Sequence, residues 1–507
     1  MRVIAGTGPG LPFAARAMVA ATFAFLALTA ISPLPMSAVV PAAALAFVVA
    51  AFHRVVLNWR VVVAALLVLI MFIPMRRYTL PFGAFGFQLE PYRVFVGVLA
   101  AGWGISLLID RRVLIKGSGL EGPIVAIALS IVCSLMLNAD AIARHGLQNE
   151  IVKAGTFFAT FFVVFYLVVS LLRPADIRPL VQILVAAGAL VALLAIYESR
   201  SGSNLFDRLS DWIPFLQNNV AVNKEVDLNG FARGDKLRTY ASAEHPIALA
   251  AALCMLFPLS LALAITGKRH WWLAVFLLAM GGLATLSRTG VVMLLVVGLV
   301  FIWLRPGQTV RMWWAVFPLV IVIHAVMPHT LGILKSSFFP AGGLVAEQHS
   351  SAGSATAGGR AADFGPVMER VKRSPVVGVG YATTVLPTPG EAPEELPGSL
   401  APPTTRILDN QWLGTLLETG FLGVFAWLWL FLRFIRRLGR AAKRDESDEG
   451  WLLVGLVASI TAATVGMFTY DAFAFVQATF ITFILLAFGA VLGKPILAGK
   501  ARAPARG

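Results

Sequence analysis

With 507 residues, 58% of them hydrophobic and 13% charged, and a mean hydropathy of +0.81, the chain is too apolar for a soluble globular fold. A net charge of +15 and a pI near 10.3 would suit a nucleic-acid partner, but the basic residues fall in short breaks between apolar runs and form no aromatic-interleaved patch. No nucleic acid is therefore expected, and membrane topology accounts for the charge.

Apolar stretches of the roughly 20 residues needed to cross a hydrocarbon core about 30 Å thick recur from Ala14 to Leu492. They predict an all-α polytopic membrane protein, a single membrane domain over 1–507 with about fourteen helices. The spans are read near 14–31, 35–52, 61–75, 94–109, 122–137, 153–171, 179–197, 247–265, 271–286, 289–304, 313–328, 412–432, 451–469 and 472–492. The first follows Arg2 and Arg16 and resembles a signal peptide, but so many spans follow that it reads as an uncleaved helix. Cys133 and Cys254 each lie inside an apolar run, which suits packing and suggests neither a disulfide framework nor a thiolate metal site.

The run from Trp271 to Leu304 would be about 51 Å long as one helix, well beyond the hydrocarbon core, so it is expected to fold back at Ser287-Arg288-Thr289-Gly290. That puts Arg288 at a membrane surface. An inside N-terminus assigns to the cytoplasm Arg54 and Arg60, Arg111, Arg112 and Lys116, Lys268 and Arg269, Arg305 and Arg311, the run from Arg433 to Arg444, and a basic tail. Both termini are then cytoplasmic, and Arg76 and Arg77 are the exceptions on the outer side. Two long loops, 198–246 and 329–411, fall outside together with the Arg288 turn, and 412–507 holds the last spans and the tail.

The second loop opens with a small-residue linker (350–359), continues into an amphipathic helix over 361–371 with Phe364, Val367, Met368 and Val371 at helical spacing, and stops at Ser374-Pro375. The Gly378-Val379-Gly380 that follows lacks the third glycine and the preceding strand of a dinucleotide motif, so it reads as a tight turn.

Chemistry-bearing residues collect on this outer face. Arg238 lies near the end of the first loop, Arg288 at the helix turn, and Asp409-Asn410 just before the span at 412. A guanidinium stays ionised and offers forked donors to phosphate oxygens, so the two arginines can hold a lipid diphosphate; equally, both can snorkel into head groups. Asp409 fits a general base for an attacking hydroxyl, or an N-cap. Glu418, nine residues on, faces the opposite side of that helix and reads as an interhelical carboxylate. His245, between Glu244 and Pro246, is a candidate substrate contact or a structural histidine. His329 and His349 are isolated, no cluster has metal-ligand spacing, and neither metal nor cofactor is expected.

Taken in order, RTYASAEHPIALA from Arg238, Leu286-Ser287-Arg288-Thr289-Gly290, the loop helix leading into SPVVGVG, and LDNQWLGTLLETGFLG from Leu408 to Gly423 resemble the bacterial O-antigen ligase and polymerase family, as does the stretch 71–93. The resemblance implies a GT-C-like architecture in the bacterial cytoplasmic membrane. It also implies metal-independent, inverting transfer of a glycan from a polyprenyl diphosphate to an acceptor hydroxyl on a glycan or lipid, with outer-face arginines holding the diphosphate. Other envelope polysaccharide assembly proteins are further candidate partners. Ligases of this family typically carry a histidine before the asparagine of the last motif, where this chain has Asp409. Two alternatives remain. A lipid-linked oligosaccharide flippase would show two similar halves with loops balanced across the membrane. A non-catalytic assembly scaffold would survive loss of Arg238, Arg288 and Asp409 together.

Overall fold

The computed structural model describes residues 58–81, 89–109, 113–144, 146–213, 215–219, 232–233, 236–311, 316–328, 330–339, 360–383 and 408–497. The expected spans at 14–31 and 35–52 and the linker at 350–359 lie outside these residues. The described chain is almost entirely helical: α1 (Trp59–Phe72), α2 (Pro91–Ile109), α3 (Glu121–Leu137), α4 (Ala139–Arg144), α5 (Gln148–Leu171), α6 (Pro174–Ser201), α7 (Leu209–Trp212), α8 (Pro246–Thr266), α9 (Trp271–Ala284) and α10 (Arg288–Leu304). There follow α11 (Pro306–Arg311), α12 (Val316–Val326), α13 (Thr330–Phe338), α14 (Arg360–Arg373), α15 (Gln411–Arg444), α16 (Asp448–Gly466) and α17 (Val476–Leu497). Among the described residues strand is confined to two small antiparallel pairs: β1 (Tyr78–Thr79) with β2 (Gln217–Asn218), and β3 (Ala232–Arg233) with β4 (Lys236–Leu237).

Among the described residues seven helices are long and apolar enough to cross a membrane, or eight if Val320–Val326 and Thr330–Phe338, which meet at 110°, form one span. Four shorter apolar helices, α1, α3, α9 and α10, accompany them. At the centre stands α8, buried along nearly its whole length and packed by α6, α9, α10, α16 and α17. Small residues permit these approaches: Gly281 of α9 meets Ala192 of α6, and Gly455 of α16 meets the backbone of α8 at Pro258 and Leu259.

The run expected to fold back does so. α9 ends at Ala284, Leu286 takes φ 51, and α10 starts at Arg288, with Gly290 returning against Gly282 and its carbonyl accepting from the Cys254 thiol at 3.4 Å. The helices thus alternate between two ends. At one, Arg60 meets Asp176 at 4.0 Å, Arg178 meets Asp448 at 2.7 Å, and the Arg305 guanidinium donates to the Ala442 carbonyl at 2.6 Å. The other end gathers the start of α8, the α9–α10 turn, the start of α15 and the 467–475 turn between α16 and α17.

α15 runs past the expected span 412–432 to Arg444, and it consists of two half-helices. Gly420, at φ 63 and ψ −163, interrupts it, and residues 375–380 after α14 fill the gap. The Val379 and Gly380 amides donate to the Leu417 and Glu418 carbonyls at 2.9 and 3.2 Å, while the Phe421 and Leu422 amides donate to the Pro375 and Val376 carbonyls at 2.9 and 3.1 Å. Ser134 and Asn138 of α3 seal the insertion, donating to the Glu418 carbonyl at 2.6 Å and the Gly378 carbonyl at 3.1 Å. The Leu417 and Glu418 carbonyls and the Phe421 and Leu422 amides at the break thereby have partners, the condition for irregular backbone within a membrane bundle. α14 lies against the first half-helix, with Val367 and Val371 packed on Leu408, Leu413 and Leu417.

Candidate functional site

The end of the first loop is held by a polar clamp. Arg77 is buried and donates to the Ala241 and Ala243 carbonyls at 2.9 and 3.2 Å, pairs with Asp207, and lies over the Tyr240 ring, 4.8 Å from its centroid. Glu198, at the end of α6, accepts the Tyr240 and Ala241 amides at 3.2 and 2.8 Å. Ala241 takes φ 40, so the chain turns sharply between Arg238 and α8. Arg77, an exception to the charge rule in the sequence, is thus a structural tether. Its fixed fork reaches several acceptors at once.

This clamp delivers Arg238 to the α9–α10 turn, where its Nε donates to the Thr285 carbonyl at 3.1 Å, three residues before Arg288. Arg288 reaches from the start of α10 to the Ser337 carbonyl of α13 at 3.1 Å. The turn is fastened to the 467–475 turn by Thr289 and Thr469, whose hydroxyls are 2.8 Å apart. Two arginines fifty positions apart in sequence therefore border one turn.

Asn410, not Asp409, caps α15: its side chain accepts the Leu413 amide at 3.1 Å. The capping reading of Asp409 is thereby corrected by a shift of one residue, because the φ of −157 at Asn410 is the extended cap conformation. Gln411 anchors the half-helix to the 467–475 turn. Its amide donates to the Met467 and Tyr470 carbonyls at 2.9 and 3.1 Å, and its side-chain oxygen accepts the Phe473 amide at 2.7 Å. That turn carries Asp471, whose pKa is pushed up to about 6 by burial, with the Asp409 carboxylate adding to the rise. Asp409 and Asp471 therefore form an electrostatically linked pair. Tyr381, at the end of the inserted loop, is raised by burial and then by the Glu418 and Asp471 carboxylates, so Glu418 borders the same cluster.

His245 has a clear local task. Its Nδ1 accepts the Ile247 amide at 3.1 Å as the N-cap of α8, and its ring stacks on Phe475 at 5.4 Å. Burial, and then the Arg238 charge, pull its pKa down to about 3, so the imidazole is neutral near pH 7. Beside it, Glu244 accepts the Val476 amide at 2.8 Å and faces the Arg76 guanidinium at 3.6 Å; burial raises its pKa to about 7 against the pull of Arg76. Arg76 takes φ 63, and its amide donates to Glu90 at 2.9 Å.

Arg238, Arg288, Asp409 and His245 thus share one end of the bundle. Sequence reasoning gave no role to Asp471 or to the Arg76–Glu244 pair. Asp471 carries a signal that would have found it: it is the last carboxylate in the chain and stands alone between two apolar runs.

The fold and this site define a polytopic helical membrane protein with a polar, two-arginine and two-carboxylate cluster at one end of its bundle. Residues 273–428, from α9 into the second half of α15, match the family model described as O-antigen ligase, so this stretch of the chain is similar to that family. The match encloses Arg288 and Asp409, while Arg238, His245 and Asp471 lie outside it. No curated protein matches the chain.

Proposed function

We propose that this protein transfers a glycan from a polyprenyl diphosphate to an acceptor hydroxyl at the end of the bundle that holds the two arginines, and that this end faces outward from the cytoplasmic membrane. The observation that carries the reading is the bond from Arg238 to the α9–α10 turn, which brings two guanidinium groups to the rim of one cluster that also holds Asp409 and Asp471.

The acceptor oxygen attacks the anomeric carbon, the bond from that carbon to the diphosphate oxygen breaks, and the acceptor proton passes to Asp409. Attack from the side opposite the leaving group inverts the anomeric centre. The diphosphate gains negative charge as it leaves, and Arg238 and Arg288 stabilise it most strongly at that moment. Asp471 supports the site as a second carboxylate, its own pKa pushed up to about 6 by burial and by the Asp409 charge. His245 supports the site through its cap on α8 and its proximity to Arg238, rather than by direct substrate contact.

Reconstitution with a polyprenyl diphosphate glycan, followed by mass analysis of products, tests the proposal. A ladder of repeats means a polymerase and a single conjugate means a ligase. Arg288→Lys and Arg238→Lys keep the charge but lose the forked donors, so turnover should fall at least about 100-fold while membrane insertion stays normal. Near-normal turnover in both lysine variants would overturn the diphosphate assignment.

A further inference from the structure

A second charged feature lies at the opposite end of the bundle. The second half of α15 carries Phe425, Trp429, Arg433, Arg436 and Arg440 at spacings of four, four, three and four, which places them on one helical face. Phe425 and Trp429 are 64% and 46% exposed, and Arg433, Arg436 and Arg440 are exposed as well. The face therefore runs from exposed aromatic rings to a row of guanidinium groups. α3 packs beside it and extends the apolar part with exposed Val125 and Leu129, and Gly122 lets the Trp429 ring approach closely.

Among the described residues these arginines make no ion pair, in contrast to five arginines elsewhere in the fold. Arg60, Arg76, Arg77, Arg93 and Arg178 each meet a carboxylate, whereas Arg433 and Arg437 donate to the main-chain carbonyls of Gly119 and Ser118 at 2.7 and 3.3 Å, and Arg440 to that of Arg436 at 3.2 Å. The nearby acids are engaged otherwise. Glu121 accepts the Gly119 amide at 3.0 Å, Asp445 accepts the Ser447 amide at 2.9 Å, and Asp448 pairs with Arg178 at 2.7 Å. Among the described residues no carboxylate forms an ion pair with these arginines, although the Glu121 charge acts on Arg437.

The geometry points to a binding face for an anionic phospholipid on α15 and α3. Its phosphate sits among Arg433, Arg436, Arg437 and Arg440, and its acyl chains lie along Phe425, Trp429, Val125 and Leu129. The order of groups along the face matches that of such a lipid, from apolar chain to anionic head, and juxtamembrane arginines attract anionic head groups. This inference is independent of the proposed chemistry at the other end.

The test uses the purified full chain in a neutral detergent, with phosphatidylglycerol and phosphatidylcholine of identical acyl chains as probes. Native mass spectrometry counts retained lipid, and thermal melting reads stabilisation. Phosphatidylglycerol should be retained at least about tenfold better than phosphatidylcholine, and glycerophosphate alone should neither bind nor stabilise. Arg436→Gln with Arg440→Gln touches exposed side chains and should remove most of that preference without unfolding the protein. Lys268→Gln with Arg269→Gln, in another basic loop at the same end, should leave it intact. Equal retention of the two lipids, an unchanged preference in the α15 double variant, or equal losses in both double variants would overturn the site.

Discussion

At the scale of single residues, the division of labour between Asp409 and Asn410 sets the most direct test. The cap belongs to Asn410, so Asn410→Ala should cost about 1 kcal/mol of stability with the chemistry otherwise retained. Asp409→Asn should leave the melting temperature unchanged and lower turnover by about 100-fold or more, the usual contribution of a general base. Equal activity of Asp409→Asn and the parent protein would remove Asp409 from the chemistry. Glu244 gives a pH prediction. Its pKa is raised from 4.5 to about 7 by burial, so the folded protein holds a proton that the unfolded chain releases. Its contribution to stability is therefore complete below about pH 4.5 and lost as pH rises through about 7. Detergent-solubilised protein should melt at a lower temperature at about pH 8 than at about pH 5, and Glu244→Gln should flatten that slope.

At the scale of elements, the interrupted helix decides how the second loop meets the bundle. The Gly420 backbone lies in a region that side-chain-bearing residues scarcely enter, and a Cβ there would collide with the Val376 backbone. Gly378 answers it from the inserted loop, with φ 72 and its own approach to the Glu418 backbone. Gly420→Ala should destabilise the protein by about 3 kcal/mol or more, the strain of the backbone plus the displaced loop. Gly378→Ala should act through the same contact, so the double variant should lose less than the two single losses together, as thermal melting of all three would show. Because α14 packs on Leu408 and on Leu417 of the first half-helix, loosening this joint should also lower turnover through Asp409.

At the scale of the whole molecule, the helices alternate so that the chemistry-bearing turns gather at one end and the arginine-rich loops at the other. If the charge pattern sets orientation, a cysteine at Asn218, exposed in the first loop, should react with an impermeant thiol reagent in intact cells. A cysteine at Glu446, exposed at the end of α15, should react only after the membrane is opened. The opposite labelling pattern would invert the orientation and place the two-arginine cluster on the cytoplasmic side.

The sequence by itself determined the membrane class, most helix positions and the fold-back before Arg288, because span length and the polar breaks between spans are local properties of the chain. Arg238, Arg288 and Asp409 were legible as candidates for the same reason: charge at the edge of an apolar run is conspicuous. Only the tertiary structure decided that Arg238 reaches Thr285, that Asn410 is the cap beside Asp409, that His245 is turned inward as the cap of α8, and that Asp471 joins the cluster. It alone revealed the break in α15, since Gly420 in an apolar helix looks like any small packing residue until the loop that replaces its hydrogen bonds is in place. The physical reason is common to all of these: hydrophobic length is written residue by residue, whereas a hydrogen-bond partner hundreds of positions away exists only once the helices have packed.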